Sequence, residues 1–183
     1  MELVTDLPRM TRLAKEREIE NWSFRRFLRE CGRPPREIDG IVLALWREVS
    51  ARIDCTRCAN CCRLLRPYLS PLDARRLSRH LRISEALFEE RYLKPAKEGD
   101  KDGRPFAVRP CPFLREDRCT VYAARPAACR SYPGLHKPGF VAHATQAFTN
   151  SAVCPVVFNV YEGLKRALAG GGKEPQMNAD ERG

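Results

Sequence analysis

The sequence predicts a mainly helical α+β fold with a short β-hairpin and an N-terminal helical pair. Three observations carry this: apolar residues recur at helical spacing in several segments, short apolar stretches flank a polar turn near residue 116, and nine cysteines occur in 183 residues. Hydrophobic residues make up 43% and charged residues 31%, which is too apolar for a disordered chain. The length suits one domain with a real core rather than two full-sized domains.

Residues 9–31 read as one helix, with Phe24, Phe27, Leu28 and Cys31 at i, i+3, i+4, i+7 and Arg25, Arg26 and Arg29 on the other side. Gly32 and Pro34-Pro35 end it. A second helix carries the stripe Ile38, Ile41, Val42, Leu45, Trp46 and Val49, with Trp46 expected in the core. Farther on, Ser70-Pro71-Leu72-Asp73 has the marks of a helix start, and Leu77 and Leu81 continue an apolar face. Ser84 caps a short helix carrying Leu87, Phe88 and Leu93. Residues 97–104 have no apolar side chain and two glycines, which predicts a surface loop.

Phe106-Ala107-Val108, Pro112-Phe113-Leu114 and Cys119-Thr120-Val121-Tyr122 read as short strands, the last two joined by a four-residue polar turn, Arg115 to Arg118. Residues 123–131 admit a helical turn. Weak patterning from there to Asn150 predicts loop. After Cys154, Pro155 suits a first helical position, and Val157, Val160, Tyr161, Leu164 and Leu168 recur at helical spacing until Gly170-Gly171-Gly172.

Cys55-Thr56-Arg57-Cys58-Ala59-Asn60-Cys61-Cys62 places four thiols within eight residues. Two residues between cysteines let a tight turn bring both sulfurs onto one ion or cluster. In a continuous helix Cys55, Cys58 and Cys62 would share a face, while Cys61 would point about 100° away. Zinc sites usually pair two short knuckles, whereas C-x₂-C-x₂-C completed by a remote Cys-Pro is an iron–sulfur ligand pattern. Cys111-Pro112 and Cys154-Pro155 are remote candidates, which tilts the choice toward iron–sulfur. The x₇ step from Cys111 to Cys119 and the x₉ step to Cys129 fit neither pattern, and zinc tolerates irregular spacing.

Competing readings are disulfides, burial as small hydrophobes and a catalytic thiol. The start of the chain has no basic segment followed by an apolar stretch, so a signal peptide is not expected, a cytoplasmic location is, and disulfides are disfavoured there. Burial suits Cys31 on its apolar helical face and, to a lesser degree, Cys154 between valines. A nucleophilic thiol needs a basic partner, and only His80, His136 and His143 are available. His80 is expected in solvent, and His136 or His143 is a spare ligand candidate. The longest apolar run, Ile41 to Trp46, is far short of the ~20 residues that cross a bilayer, so no membrane association is expected.

The formal charge is +10. Ligating thiolates would offset much of it, and Arg57, Arg63, Arg66, Arg115, Arg118, Arg125 and Arg130, each near a cysteine, are expected to neutralise them. The rival explanation, nucleic-acid binding, requires the charge gathered on one face.

The pattern Cys55-x₂-Cys58-x₂-Cys61-Cys62, then Cys111-Pro112-Phe113-Leu114-x₄-Cys119-x-Val121-Tyr122-x₂-Arg125-Pro126-x₂-Cys129-Arg130-x-Tyr132-Pro133 and Cys154-Pro155, resembles the YkgJ-like cysteine-cluster proteins, also described as the CxxCxxCC zinc- or iron-chelating domain family. The resemblance covers roughly residues 52–158. It implies that Cys55, Cys58, Cys61, Cys62, Cys111, Cys119, Cys129 and Cys154 are metal ligands and leaves Cys31 outside. It also gives Tyr122, Arg125, Pro126, Arg130 and Pro133 a framework role. The expectation is a single small metal-stabilised domain: an N-terminal helical extension over 1–51, the cysteine-cluster domain over 52–169 and a disordered tail over 170–183. An iron–sulfur cluster is the preferred cofactor, with metal ions and a redox protein as partners. The alternative is a structural zinc module for interaction, including contact with nucleic acid.

Overall fold

The computed structural model describes residues 2–97 and 102–169, so the expected tail at 170–183 lies outside the described residues. The fold is mainly helical, with two small antiparallel strand pairs among the described residues. Two compact units emerge, one of residues 1–51 with those from 135 onward, the other of residues 52–134.

The helical unit begins with α1 (Leu7–Glu16), α2 (Glu18–Glu30) and α3 (Pro35–Ser50). Asp6 caps α1 by accepting the Arg9 N–H at 2.8 Å. The single helix expected over 9–31 is interrupted at Arg17, which leaves helical geometry where its guanidinium pairs with Glu162. No local breaker marks the spot. Cys31 falls at the C-cap of α2 and is half-buried, with its thiol 3.8 Å from the Leu28 carbonyl, rather than in the core. Trp46 is likewise half-buried, its ring 5.3 Å from that of His136.

The cysteine unit follows. Its helices are the one-turn α4 (Cys55–Cys58) and α5 (Asn60–Leu64), then α6 (Pro71–Leu81), α7 (Glu85–Tyr92) and α8 (Ala127–Ser131). Strand β1 (Tyr68–Leu69) pairs with β2 (Arg104–Pro105), and β3 (Leu114–Arg115) pairs with β4 (Arg118–Cys119). Ser70 and Asp73 form a reciprocal capping box on α6, as their spacing predicts, and Ser84 caps α7. Phe113 organises the core of this unit, with ring centroids 4.9 Å from Tyr92, 5.7 Å from Phe106 and 6.5 Å from Phe88. Leu69, Leu77, Leu93 and Val121 complete that cluster, and Cys111 and Cys119 pack against it. Gly103 brings the backbone so close to β1 that a Cβ there would sit 2.2 Å from the Leu69 carbonyl oxygen.

The chain returns to the helical unit with α9 (Phe140–Ser151) and α10 (Pro155–Ala169). Helix α9 corrects the loop expected up to Asn150. Its buried positions are Phe140, Ala144, Ala147, Asn150 and Ser151, a helical stripe of mostly small residues that hydropathy registers weakly. Its start is fixed from a distance, since Asp39 on α3 accepts the Gly139 and Phe140 N–H groups at 2.9 and 2.8 Å. Helix α10 is buried on all sides from Pro155 to Lys165, which explains its position against α1, α3 and α9. Its polar side chains are paired: Asn159 bonds both backbone groups of Val4, and Lys165 bridges Glu20 and Glu162. No helix among the described residues is long and apolar enough to cross a membrane.

Candidate metal centre

Asp54 starts α4 by accepting the Thr56 N–H at 2.9 Å and the Thr56 hydroxyl at 2.6 Å. The helix lasts one turn because Ala59 adopts the left-handed conformation, φ 51°. A non-glycine residue there costs about 1 kcal/mol, and it breaks the continuous helix in which Cys55, Cys58 and Cys62 would share a face. Two short turns result. One presents Cys55 and Cys58, and the other presents Cys61 and Cys62. Arg63 ties them together by donating to the Cys58 carbonyl at 3.1 Å, and it also pairs with Asp117 at the tip of the hairpin.

The second cysteine segment is joined to the first through backbone. The Cys111 N–H donates to the Cys62 carbonyl at 2.8 Å, so these two residues, 49 apart in sequence, are neighbours in space. After Phe113 enters the core, the chain turns at Glu116-Asp117, both with positive φ as a two-residue type I′ hairpin requires. The turn is thus two residues rather than the four expected, and Arg115 and Arg118 belong to the ladder. Side chains alternate across a strand. Leu114 and Cys119 therefore occupy one face, where both are half-buried and Cys119 packs against the core, while Arg115 and Arg118 occupy the other, in solvent.

Cys129 rides on α8, whose start is held by α6. Asp73 accepts the Ala127 N–H at 2.9 Å and pairs with Arg76, which donates to the carbonyls of Ala124 at 3.3 Å and Arg125 at 2.7 Å. Buried Asp73 is the functional support that the sequence reading missed. Its capping-box position was visible, but its reach to residue 127 was not.

The thiols perturb one another. A hydrogen bond with Cys61 pulls the Cys62 thiol down to about 7 against the effect of burial, with help from the Arg125 and Arg63 guanidiniums. Burial pushes Cys111 up to about 11, opposed by a backbone hydrogen bond at Phe113 and reinforced by the nearby Cys62 and Cys119. Burial pushes Cys129 up to about 12, reinforced by Cys111, Cys62 and Cys119. Cys55 and Cys119 are also raised by burial, with Arg125 acting in the opposite direction on both. Cys62, Cys111, Cys119 and Cys129 therefore lie close enough to feel one another, with Arg125 beside them.

Arg125 lies over the Tyr122 ring, 3.6 Å from its centroid, and its Nε is buried without a hydrogen-bond acceptor. An unsatisfied cationic donor among soft thiols fits a site where anionic sulfur would accept it. The donor set fits a thiophilic metal for the same reason. Among the described residues, no three His, Cys, Asp or Glu side chains are already gathered at ligating geometry. None of the nine cysteines is in a disulfide, all of them lying among the described residues.

Seven of the eight candidate ligands, Cys55, Cys58, Cys61, Cys62, Cys111, Cys119 and Cys129, belong to the cysteine unit. Cys154 belongs to the helical unit, where it is buried just before α10 and its carbonyl accepts the Phe158 N–H at 2.9 Å. His80 is exposed on α6, and His136 and His143 are exposed in the helical unit.

Residues 54–155 match the sequence model of the CxxCxxCC family, described as a putative zinc- or iron-chelating domain. The chain belongs to the CxxCxxCC family. The match opens one residue before Cys55 and closes one residue after Cys154, so it encloses all eight candidate ligands and leaves Cys31 outside. No curated protein and no solved structure matches the chain. Membership in the CxxCxxCC family supports metal binding as such, with zinc and iron both within its description.

Proposed function

We propose that this CxxCxxCC protein binds an iron–sulfur cluster through cysteine thiolates and serves a redox or iron-handling role in the cytoplasm. The ligands are drawn from Cys55, Cys58, Cys61, Cys62, Cys111, Cys119, Cys129 and Cys154. The observation that carries the preference for iron–sulfur is the C-x₂-C-x₂-C run at Cys55, Cys58 and Cys61 with Cys-Pro pairs at Cys111 and Cys154. When bound, such a cluster supplies a reversible one-electron change. The chain's own part is to deliver thiolates and neutralise them. The hydrogen bond with Cys61 favours the Cys62 thiolate, and the Arg125 and Arg63 guanidiniums add to that stabilisation.

A structural zinc site is the second reading, in which the protein acts as an interaction module, with nucleic acid among its partners. It is favoured by the irregular spacings of Cys111, Cys119 and Cys129, which zinc accepts, and by the backbone bond that holds Cys111 beside Cys62.

Anaerobic purification followed by elemental analysis and a visible absorption spectrum separates the two. Iron with labile sulfide and a brown colour supports the cluster. A colourless protein with stoichiometric zinc supports the second reading. A folded protein with neither metal and with all eight thiols free overturns both.

A further inference from the structure

The cysteine unit, residues 52–134, carries 18 Lys and Arg against 10 Asp and Glu, which is +8 of the chain's formal +10. The charge asymmetry between the two units is therefore large, and one place in the cysteine unit shows charge arranged at a structural cost. Arg115 and Arg118 are directly opposite each other in the β3–β4 ladder, and both are exposed. Like charges in register across a hairpin destabilise it, and this hairpin is only two pairs long. It also places the non-glycine residues Glu116 and Asp117 at positive φ. Arg115 folds one guanidinium nitrogen back onto the Pro112 and Leu114 carbonyls at 3.3 and 2.8 Å, which fixes its position without neutralising it. Arg63 anchors the tip through Asp117, so the arginine pair is displayed on a tethered element. Cys119 sits on the opposite face of the same strand.

We propose that the outward face of this hairpin is a docking surface for an acidic protein, with carboxylates of the partner accepting from the Arg115 and Arg118 guanidiniums. Two adjacent guanidiniums match paired carboxylates, and bidentate geometry adds specificity to charge. Complementary charge also speeds encounter. Exposed Glu116 follows Arg115 in the turn and sets an acid beside the arginine pair. Such an alternation suits a protein surface of mixed charge, whereas a nucleic-acid backbone presents only negative groups. Tyr122, an aromatic candidate for base stacking, already has one ring face occupied by Arg125. The inference concerns the hairpin's outward face and goes beyond the metal reading, since it holds for either metal.

The test is fluorescence anisotropy at low salt with the full chain as purified. One probe is a labelled 15-residue Glu/Asp-rich peptide that carries two lysines, and the other is a single-stranded oligonucleotide of equal net charge. Arg115→Gln/Arg118→Gln is expected to weaken peptide binding at least tenfold, and Arg115→Lys/Arg118→Lys to recover much of it. Arg75→Gln/Arg79→Gln on α6, which removes the same charge from the same unit, is expected to weaken it less than threefold. Equal losses in the hairpin and α6 variants would reduce the effect to net charge and overturn the proposal, as would tighter binding of the oligonucleotide than of the peptide. Melting curves and metal content measured on each variant separate this outcome from failure of the metal reading. Wild-type protein that holds no metal yet binds the peptide with this variant pattern leaves the docking surface standing.

Discussion

The carboxylate of Asp73 accepts the backbone N–H of Ala127 at 2.9 Å across 54 residues of sequence. It does so while capping its own helix through Ser70 and pairing with Arg76. One buried side chain thereby fixes the start of α6 and the approach to α8, the element that bears Cys129.

Asp73→Ala removes all of these acceptors from a buried position and deprives the Ala127 N–H of its side-chain partner. A loss of about 2–3 kcal/mol is expected, since hydrogen bonds to a buried charge are worth about 1.5–3 kcal/mol each and only part of the total survives relaxation. Asp73→Asn retains one oxygen and should lose roughly half as much. Urea unfolding of the three proteins at neutral pH checks the order.

The same residue predicts an acid-sensitive component of stability. Burial alone would raise the Asp73 carboxyl, but the Ala127 N–H, the Ser70 side chain and the Arg76 guanidinium together hold it below its ordinary 3.8. A group depressed in the folded state contributes fully above its unfolded value and loses that contribution as pH falls through the folded one. The gap in unfolding midpoint between wild type and Asp73→Asn should thus be widest at pH 6 and narrow below pH 4. A constant gap down to pH 3 would contradict this.

Gly103 offers a sharper steric test. A Cβ at this position meets the Leu69 carbonyl oxygen at 2.2 Å, and φ of 136° is a backbone conformation that other residues rarely adopt. Gly103→Ala must separate β1 from β2 or distort both, with an expected cost above about 2 kcal/mol. An unchanged thermal midpoint would contradict so close an approach of Gly103 to Leu69.

Metal removal and cysteine substitution should act together. Cys58→Ser is expected to reduce bound metal and lower the thermal midpoint. Exhaustive chelation should lower the wild-type midpoint and have little further effect on Cys58→Ser, because coordination energy is folding energy. Cys31→Ser should leave metal content within error of wild type. Loss of metal in that variant would place Cys31 among the ligands.

The elements legible in the sequence are those whose cause is local. Ser70 and Ser84 cap the helices that follow them, and Pro155 opens a helix whose apolar positions leave no ambiguity. Helix α9 was not legible because its inward residues include Ala144, Ala147 and Ser151, and its N-terminal amides are satisfied by Asp39 a hundred residues earlier. The β1–β2 pair is two residues long on each side, too short for alternation to register. For the candidate site, the density of Cys55, Cys58, Cys61 and Cys62 announces metal chemistry without any structure. The association of Cys62 with Cys111 was hidden, because it rests on a backbone hydrogen bond between distant segments. The division of labour among the arginines was hidden as well. Arg63 and Arg125 act on the thiols, whereas Arg115 and Arg118 point away from them, a distinction decided by strand parity rather than by nearness in sequence.

The seven-residue interval between Cys111 and Cys119 matches no standard ligand motif, and the hairpin supplies its rationale. From Leu114 the chain must take one step to Arg115, pass the two turn residues and come back through Arg118 before Cys119 lies across from its starting point. A one-residue slip in the β3–β4 register would exchange the two faces, turning the thiol of Cys119 to solvent and the guanidinium of Arg118 inward. The pairing register, held by a turn of only two residues, thus decides which chemistry faces which way.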